Sequence, residues 1–251
     1  MEKVFITGAS SGFGKACAVK FAQNGYALIL CGRRKDKLEG LKAELELMYK
    51  AQVEILNFDI SKRTEVEDAI SQLSKKDLHI SVLINNAGLA AGRDFFQDAD
   101  INDWEMMIDT NVKGLLYITK ALLPFMINKK PAHIINVSSL AGQEVYQQGN
   151  VYCATKHAVT ALSKSMRMDL LQHQIKVTNI SPGLADTEFS LVRFKGDKEK
   201  AKRVYEGYEA LKAEDVAEVI YFAATRPVHV NLEEITILPT AQSDSRTVLK
   251  K

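Results

Sequence analysis

Cysteine is scarce in this sequence, and the few cysteines that occur are far apart. They are Cys17, Cys31 and Cys153, an odd number without the regular spacing of a disulfide framework. We therefore interpret them as small buried side chains of a protein from a reducing compartment, and we expect a cytoplasmic location.

The sequence also lacks an excess of charge of one sign and a long apolar run. Lysine and arginine total 33 against 31 aspartates and glutamates, a balance that does not favour a nucleic-acid partner. The longest apolar runs, such as YALILC at 26–31, are far too short to cross a bilayer, and MEKVFITG at 1–8 shows no leader pattern, so no membrane role is expected. The five histidines are scattered without ligand-like spacing, so no metal site is expected.

What the sequence does contain is a regular alternation of short apolar runs and longer helical patterns. The predicted strands cover 3–7, 26–31, 53–58, 81–85, 133–138, 176–181 and 234–238. The predicted helices cover 13–24, 36–50, 62–75, 102–128, 152–173 and 213–224. Most strands are continuously apolar, as strands buried on both faces of a parallel sheet are. The pattern predicts an α/β fold, a Rossmann-type doubly wound parallel sheet of seven strands with helices on both faces.

No linker, internal repeat or low-complexity block divides the chain, so residues 1–251 are predicted to form a single dinucleotide-binding catalytic domain. A long stretch without a clear pattern follows ISPG, at about 182–197. Long loops in compact domains are usually functional, so we place a candidate substrate lid at about 182–210. Within it, FKGDKEKAKR at 194–203 interleaves charges of both signs and indicates a solvated helix face.

A glycine-rich segment, TGASSGFG at 7–14, follows the first predicted strand and opens the first helix. Its glycines permit a tight turn and close approach of the backbone to a pyrophosphate at the helix N-terminus. Glycine also marks ordinary turns, but the strand-then-helix setting favours a nucleotide. The predicted cofactor-binding residues here are Gly8, Ser10, Ser11, Gly12, Phe13 and Gly14.

The second predicted strand ends in CGRRKDK, where NAD-binding units usually place an acid against the ribose hydroxyl. Here Arg33 and Arg34 stand instead, and guanidinium groups suit a 2′-phosphate. Asp36, the nearest acid, is placed to start a helix. The alternative is a surface pair of arginines at a strand end. The residues favour NADP(H) over NAD(H).

Two further strand ends carry polar residues. Asp59 in FDI, beside Ile60, is predicted to accept from the adenine amino group, or alternatively to cap the next helix with Ser61. INNAG at 84–88 fits a backbone turn beside the cofactor, although Asn and Gly also mark plain turns. The predicted cofactor-binding residues of that turn are Asn86, Ala87 and Gly88.

A tyrosine and a lysine are spaced four apart in YCATK. On a helix this spacing places Tyr152 and Lys156 on one face, one turn apart. A neighbouring positive charge lowers the pKa of a phenol, which is one way to make a general acid or base. By itself the pair is weak evidence, because such spacing also arises by chance.

Five motifs in register make the evidence for a catalytic Tyr152 and Lys156 stronger. TGASSGFG, NNAG, DTNVKG, VSSLAG and YCATK occur in this order on matching strand ends and helices, and together they resemble the short-chain dehydrogenase/reductase superfamily over almost the whole chain. The resemblance implies that Tyr152 is the catalytic acid/base and that Lys156 lowers its pKa and holds the nicotinamide ribose. It implies that Ser139 bonds the same substrate oxygen, with Ser138 as the alternative, and that Asn111 holds a water in a proton relay. Beside the nicotinamide it places Pro182, Gly183 and Thr187.

A closer resemblance is to NADP-dependent 3-hydroxy acid dehydrogenases, which act on serine, L-allo-threonine or 3-hydroxypropionate-type substrates or the matching semialdehydes. It rests on the stretches NNAGLAAG, DWEMMIDTNVKGLLYITKALLP, GNVYCATK, EFSLVRFKGD and PVHVNLEEITILPTAQS. Arg193 is a candidate clamp for a substrate carboxylate, or alternatively packs the lid or bonds a neighbouring subunit. Tyr146, with Gln147 and Gln148, is expected at the pocket wall.

Three functions remain open from the sequence. The first is NADP-dependent oxidation of a small 3-hydroxy acid or reduction of its semialdehyde. The second is reduction of another carbonyl, such as a 3-oxoacyl carrier-protein, sugar or bulky ketone. The third is a nucleotide-sensing protein without activity, which the intact four-residue catalytic set argues against. The resemblance also implies a homotetramer built on the helices at 102–128 and 152–173, and the polar C-terminal DSRTVLKK either is loose or reaches a partner subunit.

Overall fold

Seven parallel strands form the sheet in the computed structural model, which describes residues 2–73, 78–127 and 130–251. The strands are β1 (Lys3–Thr7), β2 (Ala27–Gly32), β3 (Val53–Asn57), β4 (Val82–Asn85), β5 (His133–Val137), β6 (Lys176–Pro182) and β7 (Glu234–Ile237). Their order is β3-β2-β1-β4-β5-β6-β7. The predicted fold class is confirmed, and the strand bounds agree with the prediction to within one residue.

Helices connect the strands and cover both faces of the sheet. They are α1 (Gly12–Gln23), α2 (Lys35–Tyr49), α3 (Arg63–Leu73), α4 (Ile101–Ile108), α5 (Leu115–Leu122), α6 (Asn150–Asp169), α7 (Glu188–Arg193), α8 (Lys198–Arg203) and α9 (Ala213–Ala224). Positions 74 and 75 of the predicted helix at 62–75, and position 128 of the one at 102–128, lie outside the described residues. Within the described residues, no helix has the length and apolarity that a membrane span requires.

Two apolar cores, one on each face, explain why the strands are continuously hydrophobic. Successive residues of a strand point to opposite faces, so Val4 and Ile6 enter one core while Phe5 enters the other. The first core is closed by α1, α2 and α9, and the second by α3 and α5. The prediction of strands buried on both faces is confirmed.

The stretch predicted as helical at 102–128 is helical over 101–125, but it is not one uniform α-helix. The chain runs as α4, then a π-helical segment at Asp109–Gly114, then α5 and a 3₁₀ turn at Leu123–Phe125. The π segment widens where the Asn111 side chain binds the backbone of Leu89 at both of its polar atoms, each at 2.8 Å. Because Leu89 belongs to another part of the chain, the hydrophobic pattern around Asn111 does not predict the π segment.

The stretch expected to be irregular at about 182–197 is so except for one short helix, α7, and a second short helix, α8, follows it directly. Each begins at a capping side chain: the Thr187 hydroxyl accepts from the Phe189 N–H, and the Asp197 carboxylate accepts from the Lys200 N–H. No residue of α8 is buried, which confirms the solvated helix face expected there.

The C-terminal residues fold back on their own chain. The Leu249 N–H donates to the Ala241 carbonyl and the Lys251 N–H to the Gly207 carbonyl, each at 2.8 Å. Of the two possibilities left open by the sequence, a loose tail is therefore excluded. The tail instead reaches the segment that carries α7 and α8.

The strand order reverses between β1 and β4, where the connections leave in opposite directions. In doubly wound sheets ligands bind at the carboxyl ends of the strands beside this switch point. The glycine-rich segment, INNAG and VSSLAG all follow strands that end there. The topology therefore brings together motifs that the sequence separates.

Candidate active site

A cavity of about 760 Å³ opens at the carboxyl ends of the strands. Such a volume is typical of ligand pockets. Of the predicted site residues, its wall contains Gly8, Ser10, Ser11, Gly12, Phe13, Arg33, Arg34, Asp59, Ile60, Asn86, Ala87, Gly88, Ser139, Tyr146, Tyr152, Lys156, Pro182, Gly183, Thr187 and Arg193. Gly14 and Asn111 are not among the lining residues; both lie behind the wall.

The glycine-rich segment makes the turn that its sequence predicts. Gly8 and Gly12 have left-handed backbones, with φ of 65° and 51°. A Cβ at Gly14 would lie 2.3 Å from the Gly8 carbonyl oxygen, so Gly14 permits α1 to pack against the turn rather than contacting a ligand. Ser11 precedes α1 without capping it, which leaves the first N–H groups of the helix available to an anion.

The two arginines after β2 differ in their surroundings. Arg34 donates from Nε and Nη2 to the Ser10 hydroxyl and from Nη2 to the Ser11 hydroxyl, at 2.6–3.1 Å. Arg33 is more exposed and lies 3.5 Å from Asp59. Arg34 is thus fixed against the glycine-rich segment, while Arg33 extends from the cavity rim.

Asp59 is held by its own neighbours. Its carboxylate accepts from the Ser61 N–H at 2.9 Å, the capping arrangement that the sequence left as an alternative. Burial acts to raise the pKa of Asp59, but hydrogen bonds from Ser61 and the charge of Arg33 outweigh it and hold the pKa below its ordinary value. The carboxylate is therefore ionised at neutral pH.

Ser139 and Tyr152 face each other in the cavity wall. Ser139 lies two residues after β5 and precedes a 3₁₀ turn, where its hydroxyl accepts from the Ala141 N–H at 3.1 Å. Ser138 also lines the cavity, but its hydroxyl donates to the Lys156 carbonyl at 3.1 Å. The buried phenol of Tyr152 packs against Phe189, with ring centres 5.6 Å apart. Burial raises the pKa of Tyr152 well above its ordinary value, and the hydrogen bond with Ser139 acts against that rise.

Lys156 lies one helical turn beyond Tyr152 and is almost fully buried. Its Nζ donates to the Val137 carbonyl at 2.9 Å. Burial lowers the pKa of Lys156 to about 8. Burial is the largest influence on the pKa of the Tyr152 phenol, and it raises that pKa.

Asn111 lies close to Lys156 without touching the cavity. A Cβ at Gly88 would be 3.2 Å from the Asn111 Oδ1 and 3.4 Å from the Lys156 Nζ, so both side chains pack closely over this glycine. The Asn111 amide also donates to the Thr155 hydroxyl at 3.1 Å. Asn111 thereby joins the π segment, the strand end at 86–89 and α6.

Arg193 lies beside two tyrosines of the cavity wall. Its Cζ lies 5.6 Å from the ring centres of both Tyr146 and Tyr152, and its Nη1 donates to the Tyr146 hydroxyl at 2.9 Å. Burial raises the pKa of Tyr146, while Arg193 acts against that rise. Arg193 also donates from Nε to the Gly92 carbonyl, so lid packing and cavity lining are both observed. Gln147 and Gln148 are not among the lining residues described.

Several lining residues were missed from the sequence. Gln242 accepts from the Leu184 N–H at 2.8 Å, and a Cβ at Gly183 would lie 2.3 Å from its Oε1. No local signal indicates this contact, because it depends on the tail folding back. Glu188 and Phe189 could have been found from the sequence, because Thr187 before them is a residue that commonly caps the start of a helix. The missed arginines of the wall are Arg93, Arg203 and Arg246. Among the described residues, no cluster of potential ligands that could hold a metal ion is found.

The fold and this cavity define the class of protein. A glycine-rich turn at the switch point of a doubly wound parallel sheet, with a half-buried serine and a buried tyrosine and lysine at the cavity, is the arrangement of a dinucleotide-dependent oxidoreductase. A family model of the short chain dehydrogenases matches residues 2–197, and the chain belongs to that family.

Individual relatives extend over almost the full length. The NADP-dependent 3-hydroxy acid dehydrogenase of Salmonella typhi is 46% identical over 96% of each chain. A sulfoacetaldehyde reductase of Chromohalobacter salexigens is 44% identical, covering 96% of this chain and 94% of the relative. The closed form of a serine dehydrogenase complexed with NADP⁺ is 41% identical and superimposes with a TM-score of 0.91 over 99% of both chains.

Proposed function

We propose that this chain is an NADP-dependent dehydrogenase that interconverts a small 3-hydroxy acid and the matching semialdehyde. The observation that carries the proposal is the Arg193 guanidinium, 5.6 Å from the ring centre of the tyrosine proposed to exchange the substrate proton. Relatives named as NADP-dependent 3-hydroxy acid dehydrogenases support it. Serine, L-allo-threonine and 3-hydroxypropionate are the substrate types it includes.

The residues of the cavity fit NADP(H). The glycine-rich segment and the N-terminus of α1 would receive the pyrophosphate, because a helix N-terminus presents free N–H groups to an anion. Gly8 and Gly12 form the turn, because any other residue would be strained in its left-handed backbone. Arg33 and Arg34 would hold the 2′-phosphate. Asp59, Ile60 and the residues at 86–88 would line the adenosine, and those at 182–187 the nicotinamide. The bound cofactor supplies the hydride acceptor or donor.

The protein supplies the proton path. We assign proton exchange with the substrate oxygen to the Tyr152 hydroxyl, with Ser139 donating a second hydrogen bond to that oxygen. The raised phenol pKa keeps Tyr152 protonated at neutral pH, which suits the reduction of an aldehyde. Lys156, with a pKa of about 8, is poised to pass the proton on, and Asn111 positions the groups behind it.

Arg193 is the proposed anion clamp at the other end of the substrate. A guanidinium binds a carboxylate by two parallel hydrogen bonds, and a sulfonate offers similar oxygens. The sulfoacetaldehyde reductase among the relatives therefore favours a second candidate, an aldehyde that carries a sulfonate in place of the carboxylate. A 3-oxoacyl carrier-protein, a sugar or a bulky ketone, the alternative from the sequence, requires no such cation.

The test compares acids with their uncharged analogues. We expect NADPH formation from NADP⁺ with free 3-hydroxy acids and little with their methyl esters, and we expect Arg193→Met to lower kcat/KM for the acids by about 10- to 100-fold, as for a lost charged hydrogen bond. Arg203→Met is the matched control, since Arg203 is an exposed arginine of the same wall and should change kcat/KM less than about twofold. Equal activity on acids and esters would refute the clamp.

The same proposal includes the assembly and location expected from the sequence. A homotetramer is supported by exposed apolar side chains on the two predicted interface helices, Ile101 and Leu116 on the first and Met168 and Leu171 on the second. A cytoplasmic location is supported by Cys17, Cys31 and Cys153, which are all free and buried.

A further inference from the structure

Glu188 forms two ion pairs across the mouth of the cavity. Its carboxylate accepts from the Arg34 Nη1 at 2.7 Å and from the Lys37 Nζ at 3.1 Å. Glu188 is the first residue of α7, whereas Arg34 and Lys37 belong to the turn into α2 on the cofactor side. More than 150 residues separate the two sides along the chain. The contact therefore joins two walls of the cavity.

Arg34 carries the connection further. The same guanidinium that donates to Glu188 donates to the Ser10 and Ser11 hydroxyls of the glycine-rich segment. An arginine fixed on two edges keeps its planar group in one orientation. Glu188 thus acts on the glycine-rich segment through Arg34. The hydrogen bond from Arg34 is also the largest cause of the lowered pKa of the Glu188 carboxyl group.

The opposite end of α7 is tied to the other wall. The Gly92 N–H donates to the Arg193 carbonyl at 3.0 Å, and Lys195 pairs with the nearly buried Asp103 at 2.9 Å. That end is therefore anchored in part by a buried carboxylate. The Glu188 end is anchored by ion pairs whose members are each about 40–45% exposed. Exposed pairs are weaker and more easily screened by salt, so the Glu188 end is the one that releases first.

We propose that Glu188, Arg34 and Lys37 form a clasp that holds the lid closed over the cofactor, with Glu188 as a positioning residue for Arg34. The proposal rests on the proposed NADP(H) dependence. Opening the clasp frees the N-terminal end of α7 and releases the side of the cavity where the pyrophosphate and adenosine are expected. The clasp sets how long the cofactor stays bound rather than how fast it arrives.

Stopped-flow fluorescence of NADPH, without a hydroxy acid, tests the clasp. For Glu188→Gln we expect the dissociation rate of NADPH to rise about fivefold, the effect of losing exposed ion pairs, with little change in the association rate. Raising the salt concentration should speed dissociation more from the unmodified protein than from the variant, which has already lost the Glu188 ion pairs that salt screens. Lys37→Met should give a smaller increase, and combining it with Glu188→Gln should add nothing.

The matched control is Glu206→Gln, which removes an exposed carboxylate of the same segment that has no ion pair among the described residues. Its dissociation rate should equal that of the unmodified protein. An unchanged rate in Glu188→Gln would overturn the clasp while leaving NADP(H) binding intact. Tighter NADPH binding in Glu188→Gln would overturn it too, because Glu188 would then compete with the 2′-phosphate. Failure of the unmodified protein to bind NADPH would overturn both this proposal and the proposed function.

Discussion

The role proposed for Tyr152 depends on a single hydroxyl group. We expect Tyr152→Phe to bind NADPH with an affinity close to that of the unmodified protein, because the ring still packs against Phe189. Turnover should fall by about 100- to 10,000-fold, the usual contribution of a positioned acid or base. Steady-state kinetics and a fluorescence titration of NADPH measure the two quantities.

Tyr49→Phe is the control, since the Tyr49 hydroxyl bonds Gln23 away from the cavity. The pH dependence adds a second readout. Because the phenol pKa is raised, oxidation of the hydroxy acid should accelerate as the pH rises toward that pKa, while reduction should slow. Turnover by Tyr152→Phe comparable to that of the control would exclude the proton-exchange role.

At the same scale, the sequence identified side chains whose role depends on a short motif. Tyr152, Lys156 and Ser139 were predicted because their motifs resemble those of the short-chain dehydrogenases, and the structure places all three in the wall of one cavity. Gln242 and Arg246 were not, because they meet the cavity only through a tail that folds back over it. The direction of the Tyr152 pKa was also beyond the sequence, since it depends on how deeply the ring is buried.

At the scale of elements, the join between the glycine-rich turn and α1 is the most constrained contact. Gly14→Ala would place a Cβ 2.3 Å from the Gly8 carbonyl and 2.6 Å from the Asn86 amide, so α1 must shift. We expect a loss of stability of about 1–3 kcal/mol, as for overpacked cores, together with weaker NADPH binding. Thermal unfolding with and without NADPH measures both.

Gly40→Ala provides the comparison within another helix. Gly40 is exposed in α2, and a Cβ added there would meet no heavy atom within 4 Å, so alanine should stabilise the protein by about 0.5–1 kcal/mol. Should Gly14→Ala unfold at the same temperature as the unmodified protein, the tight packing of α1 against the turn would not exist in solution.

Elements differ in how far the sequence predicts them. The strands were predicted to within a residue because burial on both faces makes them continuously apolar. The break between α4 and α5 was missed because Asn111 binds Leu89 from another part of the chain. The helix α7 was missed although Thr187 caps it, since six residues are too few to show a helical period, whereas α8 lies within the charged stretch at 194–203 that was interpreted as a helix face.

At the scale of the whole molecule, the exposed apolar side chains provide a test of the proposed homotetramer. Met168 on α6 is 77% exposed, and Met48 on α2 is 64% exposed on a helix outside the predicted interface. We expect light scattering to show a homotetramer, and we expect Met168→Asp to dissociate it because a buried unpaired carboxylate is costly. Met48→Asp should leave the mass unchanged. A monomeric unmodified protein would contradict the expectation.

The all-parallel sheet has a consequence for the order in which the chain can fold. Each parallel pairing requires a crossover, and Val4 can pair with Val82 only after β2, β3 and their helices have been synthesised. The cavity is completed only when α6 and then the tail beyond β7 have been added. During synthesis, cofactor binding therefore cannot stabilise the nascent chain until the chain is nearly complete. The strands that are synthesised early must avoid aggregation without this stabilisation.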